Sequence, residues 1–84
     1  AGSITHNTAN STVDINGGNP TFTYTGNITK TAGGYVVSVL NTTGNTVAFN
    51  NTVEQIVTTG QGITVNAVAG NVTFNTLNLG NAGT

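Results

Sequence analysis

The chain has 84 residues, of which only 4% are charged, and its formal net charge is −1. Its single cation among Lys and Arg is Lys30, which excludes nucleic-acid binding through phosphates, because that needs several cations. Without cysteine it has no disulfide framework, and no apolar run is long enough to span a bilayer. The start at Ala1 fits a mature secreted chain, and it equally fits a piece cut from a longer one.

Short segments of alternating apolar and polar residues recur along the chain, with Gly and Asn between them. This pattern favours β-strands, and no window keeps the period of an amphipathic helix. We therefore predict about ten short strands. In chain order they include residues 13–15, 22–24, 28, 37–39, 47–49, 53, 63–65, 72–74 and 77–79.

The segments superimpose when the chain is shifted by about 25 residues, with three strands in each period. Gly and Asn lie where corners are expected, and both tolerate left-handed backbone angles. We predict a single domain over residues 1–84, folded as a short parallel β-helix of about three coils. Its coils would cover residues 2–19 (partial), 20–45, 46–71 and 72–84 (partial).

Residues one period apart are expected to stack at strand spacing and to form ladders along the axis. Three inward ladders are Phe22/Val47/Val72, Tyr24/Phe49/Phe74 and Ile28/Val53/Leu77, and Thr23/Ala48/Thr73 is an outward one. After a shift of 24, Ile4 and Ile15 fall on Ile28 and Val39. Outward Asn and Thr in register are expected to hydrogen-bond along the axis. The alternative fold is an antiparallel β-sandwich of the pilin type.

Several repeats carry a family resemblance, namely Gly26-Asn27-Ile28-Thr29, residues 41–49 and Ala69-Gly70-Asn71-Val72-Thr73-Phe74. They resemble the β-strand repeats of bacterial surface proteins with a right-handed parallel β-helix, such as filamentous haemagglutinin and autotransporter passengers. The resemblance implies this fold and an extracellular setting, and it transfers no catalytic residue. This chain is much shorter than such proteins usually are.

Few side chains could carry chemistry, and they are His6, Asp14, Lys30 and Glu54. The ladder alignment places Asp14 opposite Ser38 and Glu54 opposite Thr29, on different faces, whereas glycoside hydrolysis needs paired carboxylates. We therefore predict no enzyme activity, no cofactor and no metal site.

The basic residues of this set fall on one face of the predicted coils. His6, Lys30 and Gln55 share that face, and an exposed Lys30–Glu54 pair is plausible. His6 is expected to be solvated near a flexible start, with a pH-sensitive contact as the alternative.

Five Asn-x-Ser/Thr sequons are possible glycosylation sites. Two of them, Asn27 and Asn71, fall at predicted corners and are the better candidates. The others are Asn10, Asn41 and Asn50.

The predicted coils have no capping segment, so strand edges and apolar ladders are left open at both ends. Ile4, Leu77 and Leu79 mark these assembly ends. We predict a secreted structural subunit of an extracellular or cell-surface filament or matrix, whose partners are copies of itself. The alternatives are a fragment of a β-helical adhesin that binds glycans or a host cell surface, and a sandwich-fold pilin that donates residues 1–15 to a neighbour.

Overall fold

The computed structural model describes residues 3–57 and 59–80, and their regular structure consists of strands alone. The alternation of β-branched and polar residues accounts for this, because such residues fit a pleated, half-buried surface. The eight strands are β1 (Ile4–His6), β2 (Val13–Asn16), β3 (Phe22–Tyr24), β4 (Ile28–Lys30), β5 (Gly34–Leu40), β6 (Thr46–Gln55), β7 (Gly60–Asn66) and β8 (Asn71–Asn78).

The strands form two sheets, and every strand pairing is parallel. In the larger sheet β1 pairs with β4, and β6 pairs with β4, β3 and β8, with β4 and β3 along different parts of β6. The smaller sheet has the order β2-β5-β7. No two described strands that follow each other in sequence pair as a hairpin. The antiparallel sandwich, which is built from antiparallel pairs, is therefore wrong.

The pairing register agrees with the shift derived from the sequence. Ile4 pairs with Ile28 and Ile28 with Val53, and Val53 then pairs with Leu77. The predicted partners Ile15 and Val39 are likewise in register. The predicted inward ladders are thus confirmed as columns of register partners.

We name five inner columns after a central member. They are the Ile28 column (Ile4, Ile28, Val53, Leu77), the Val47 column (Phe22, Val47, Val72), the Phe49 column (Tyr24, Phe49, Phe74), the Val37 column (Val13, Val37, Ile63) and the Val39 column (Ile15, Val39, Val65). Their central members make up most of the buried apolar core.

The aromatic rings lie at the centre of the larger sheet. Phe49 is 1% exposed, and its ring stacks on that of Phe74 with centroids 5.0 Å apart and planes tilted by 6°. On its other side the ring of Phe22 lies 5.7 Å away at 58°. The ring contacts therefore run from Phe22 through Phe49 to Phe74, diagonally across two columns.

The described chain has fewer strands than the ten or so expected, because two of the expected corners do not interrupt the strand. β6 continues through Asn50 and Asn51, and the pairing with β8 shifts register between Phe49 and Thr52. The corresponding corner one period earlier contains Gly26 and does separate β3 from β4. A bulge can bend a strand without ending it, so the corner without glycine stays within one strand.

Left-handed backbone angles occur at Gly and Asn, as the corner argument requires. Asn41 and Asn45 have φ values of 57° and 65°, and Gly17 has 88°. Ala67 adopts φ 56°, which the sequence did not indicate. The division into one domain with four complete or partial coils stays a prediction, and residues 1–2 and 81–84 of the terminal coils lie outside the described residues.

Candidate functional site

The two acidic residues have the predicted register partners and lie in different sheets. Asp14 is in β2 opposite Ser38, and Glu54 is in β6 opposite Thr29. The Thr29 hydroxyl donates a hydrogen bond of 2.9 Å to the Glu54 carboxylate. Within residues 3–57 and 59–80 no three potential metal ligands come together, and no pocket is enclosed.

A polar column runs beside the apolar ones, formed by His6, Lys30 and Gln55 in register. The predicted alignment of these residues is therefore confirmed. Lys30 and Gln55 are 0% exposed, so the column belongs to the interior. Because side chains alternate between the two faces of a strand, Lys30 points inward with Ile28, while Glu54 lies in register with Thr29. The expected exposed Lys30–Glu54 pair is wrong for that reason.

Lys30 uses its ammonium group to hold the segment that follows β1. Its Nζ donates to the carbonyl oxygens of Thr8 and Asn10, at 2.5 Å each, and lies 3.2 Å from Nδ1 of His6. Burial disfavours the charged amine and lowers the pKa of Lys30 below its ordinary value of 10.5. Its three amine donors thus face two backbone carbonyls and a ring nitrogen.

Gln55 extends the polar column with a complete set of hydrogen bonds. Its Nε2 donates to the carbonyls of Ala32 and Gly34, at 2.9 Å each, and its Oε1 accepts from the Gly62 amide at 2.8 Å. A Cβ on Gly60 would collide with this side-chain amide. The Gln55 side chain therefore joins the segment at residues 32–34 to β7.

His6 is half-buried rather than solvated, which corrects the expectation. Its Nδ1 lies 2.7 Å from Oγ1 of Thr12, and its Nε2 lies 2.8 Å from Oγ1 of Thr8. Both ring nitrogens thus contact hydroxyls of the segment that Lys30 holds. Together His6 and Lys30 fold residues 8–12 back onto the body of the protein.

Two inner columns end on exposed hydrophobic side chains. Val39 is 0% exposed, but its partner Val65 in β7 is 48% exposed. Val53 is 0% exposed, and its partner Leu77 in β8 is 43% exposed. Of the other predicted assembly ends, Ile4 and Leu79 are half-buried. Of the three exposed large hydrophobic side chains in the described residues, two therefore lie on β7 and β8, and the third is Ile56.

Polar side chains hydrogen-bond between residues about one period apart, at positions other than the predicted outward ladder Thr23/Ala48/Thr73. Nδ2 of Asn41 donates to Oδ1 of Asn16 at 3.0 Å. Nδ2 of Asn45 donates to the Asn19 carbonyl at 3.1 Å. The hydroxyl of Thr31 donates to Oδ1 of Asn7 at 3.0 Å. These bonds tie successive repeats together at the surface.

The asparagines of all five sequons are exposed. Asn41 uses its Nδ2 in the bond to Asn16, and Asn27 accepts a bond from the Thr52 amide through Oδ1. Glycosylation itself stays a prediction.

No helix in the described residues has the length and apolar character needed to cross a membrane. The comparisons with known proteins gave no match, whether to a family model, to a curated protein or to a solved structure. The resemblance to bacterial surface repeats therefore stays a prediction.

Proposed function

We propose that the chain folds as a short parallel β-helix and serves as a structural subunit of an extracellular or cell-surface filament or matrix. Copies would assemble by stacking head to tail along the strand-pairing direction. The parallel pairing of strands about 25 residues apart supports this, as does the hydrogen bonding between repeats at the same spacing.

The observation that carries the proposal is the uneven burial of the inner columns. Val39 and Val53 are fully covered by register partners on both sides, whereas Val65 and Leu77 end their columns 48% and 43% exposed. Exposed hydrophobic side chains at the end of a packed column favour contact with a partner. A second copy would continue the same columns with side chains of the same kind.

Unpaired strand edges also favour assembly. In the part of the chain that the structure describes, β8 pairs only with β6 and β7 pairs only with β5. Their outer edges therefore present unpaired backbone groups, which readily accept another strand. A head-to-tail contact that repeats along one axis does not close into a ring, so it gives a filament.

The small number of charges makes such stacking easy. Lys30 is buried, and the carboxylates of Asp14 and Glu54 lie in different sheets. Copies with so few exposed charges repel each other little. An outer surface of hydroxyls and amides would then suit a stable extracellular material.

Negative-stain electron microscopy and sedimentation of the purified chain test the proposal, with filaments expected at micromolar concentration. Leu77→Lys places a charge on the open end of the Ile28 column, and we expect it to prevent assembly while the monomer keeps its strand signal in circular dichroism. Asn50→Lys is the matched control, since it adds the same charge at an exposed position in β6. Dispersed monomers of the unaltered chain, or full assembly of Leu77→Lys, would contradict the proposal.

A further inference from the structure

The inner columns are not equally long in the described residues. The Ile28 column has four members, from Ile4 in β1 to Leu77 in β8. The Val47 and Val37 columns have three members each. A second copy that stacks on the first is displaced by the same number of periods in every column. Because the columns differ in length, no single displacement places the second copy directly after the last member of each column.

A displacement of three periods continues the shorter columns without a gap. It places Phe22 of a second copy next to Val72 of the first, and Val13 next to Ile63. The same displacement puts Ile4 of the second copy at the level that Leu77 of the first already occupies. A displacement of four periods avoids this overlap. It leaves the other columns with a gap as wide as one strand, about 4.8 Å, between the two copies. Unfilled space of that size forfeits packing and backbone hydrogen bonds.

We propose that β1 is a removable cap, which must leave β4 before a second copy can stack. This regulation rests on the proposed function of self-assembly. In the stacked state Leu77 of one copy takes the place of Ile4 over Ile28 of the next. The cap therefore competes with the incoming β8 for one and the same strand edge.

Of the two competitors, β1 is the weaker. It has three residues, all paired with β4. β8 has eight residues and pairs with β6 over most of its length. β1 is further held by the contacts of His6 and Lys30 with the segment that follows it. These are hydrogen bonds at the edge of the fold. Their opening releases Ile4 from the core residue Ile28, which Leu77 of the incoming copy then covers.

A reversible covalent lock tests this inference, because the chain has no cysteine of its own. Thr5 and Thr29 are register partners in β1 and β4. Neighbouring strands are about 4.8 Å apart, which suits a disulfide between their residues. The double variant Thr5→Cys/Thr29→Cys therefore locks the cap when oxidised and frees it when reduced. The control Thr23→Cys/Ala48→Cys locks β3 to β6, and neither of these strands is displaced.

We expect the oxidised cap lock to form no filaments and to assemble after reduction, while the control assembles in both states. Assembly of the oxidised cap lock as fast as the reduced form would overturn the inference and leave the proposed function intact. Failure of every variant and of the unaltered chain to assemble would overturn both.

A second variant separates the two stacking displacements. Ile4→Thr weakens the packing of the cap and leaves β8 untouched. With a displacement of three periods Ile4 is expelled, so we expect this variant to assemble faster than the unaltered chain. With a displacement of four periods Ile4 would itself contact Leu77, and the variant would assemble more slowly, which would contradict the cap. Light scattering over time measures the difference.

Discussion

Removal of the Phe49 ring is the most severe test of the packing described above. The side chain is 1% exposed, stacks on Phe74 and contacts Phe22 at the centre of the larger sheet. Replacing a buried Phe by Ala costs about 3–5 kcal/mol, through lost burial and the cavity left behind. Small domains are stable by about 5–15 kcal/mol. We therefore expect Phe49→Ala to lose a large share of the free energy of unfolding.

Phe74→Ala provides the comparison within the same column. Phe74 is half-buried and has a ring partner on one side only, so we expect about half the loss, roughly 1.5–2.5 kcal/mol. Thr73→Ala, an exposed change on the same strand, should stay within about 0.5 kcal/mol of the unaltered chain.

Urea unfolding followed by circular dichroism measures all three variants, at concentrations where sedimentation shows monomers only. With a urea dependence of about 1–3 kcal/mol per molar, the midpoint for Phe49→Ala should fall by about 2 M. A loss below about 1 kcal/mol for Phe49→Ala would refute the reasoning from packing. So would an equal loss for Phe74→Ala, because the two positions differ in burial.

Three further predictions concern the polar interior and a corner. Burial lowers the pKa of Lys30 below 10.5, so unfolding takes up a proton between the folded and unfolded values. The free energy of unfolding should then rise with pH through the lowered folded pKa up to the ordinary value of 10.5, relative to Lys30→Met, in which this group is absent. Gly60→Ala should destabilise the chain, and its cost should fall by about 0.5–3 kcal/mol in a Gln55→Ala background, as a double-mutant cycle measures. Asn41→Gly should be more stable than Asn41→Ala by about 1 kcal/mol in urea unfolding, because φ is 57° there and both variants lose the bond to Asn16.

The pairing register could be predicted from the sequence because apolar residues recur at the same points of each period, even where the residue type changes. Ile28, Val53 and Leu77 differ in identity, yet each provides an apolar side chain at the same point of the period. A parallel pairing slipped by one residue would turn such positions outward. The positions of the apolar residues within the period therefore fix the register of a whole sheet.

Side-chain chemistry at single positions was harder to predict. Lysine is rarely buried, so Lys30 was assigned to an exposed ion pair. Its position two residues after Ile28 contained the signal, because alternation along a strand gives both side chains the same direction. The carbonyls of Thr8 and Asn10 that bind it follow from the path of the chain after β1, which a repeat pattern does not specify.

Val36 was missed for a different reason. It is 0% exposed together with its neighbour Val37, although alternation should turn one of the two outward. The register between β5 and β7 shifts between Tyr35 and Val37, and a bulge of this kind directs two consecutive residues to the same side. Its sequence signal is the uninterrupted apolar run at residues 35–37, which breaks the alternation seen elsewhere.

The chemical difference between the two ends supports an assembly that grows in one direction. At the end that contains β1, Lys30 and His6 hold the polar segment that follows β1 through hydrogen bonds. At the end that contains β8, Leu77 and Val65 are left exposed. Hydrogen bonds to a strand edge can be exchanged for those of another strand at little net cost, whereas exposed apolar area is removed from water only by a partner. In the proposed assembly the apolar end would thus provide the driving force for stacking, and the polar end would provide the step that controls it.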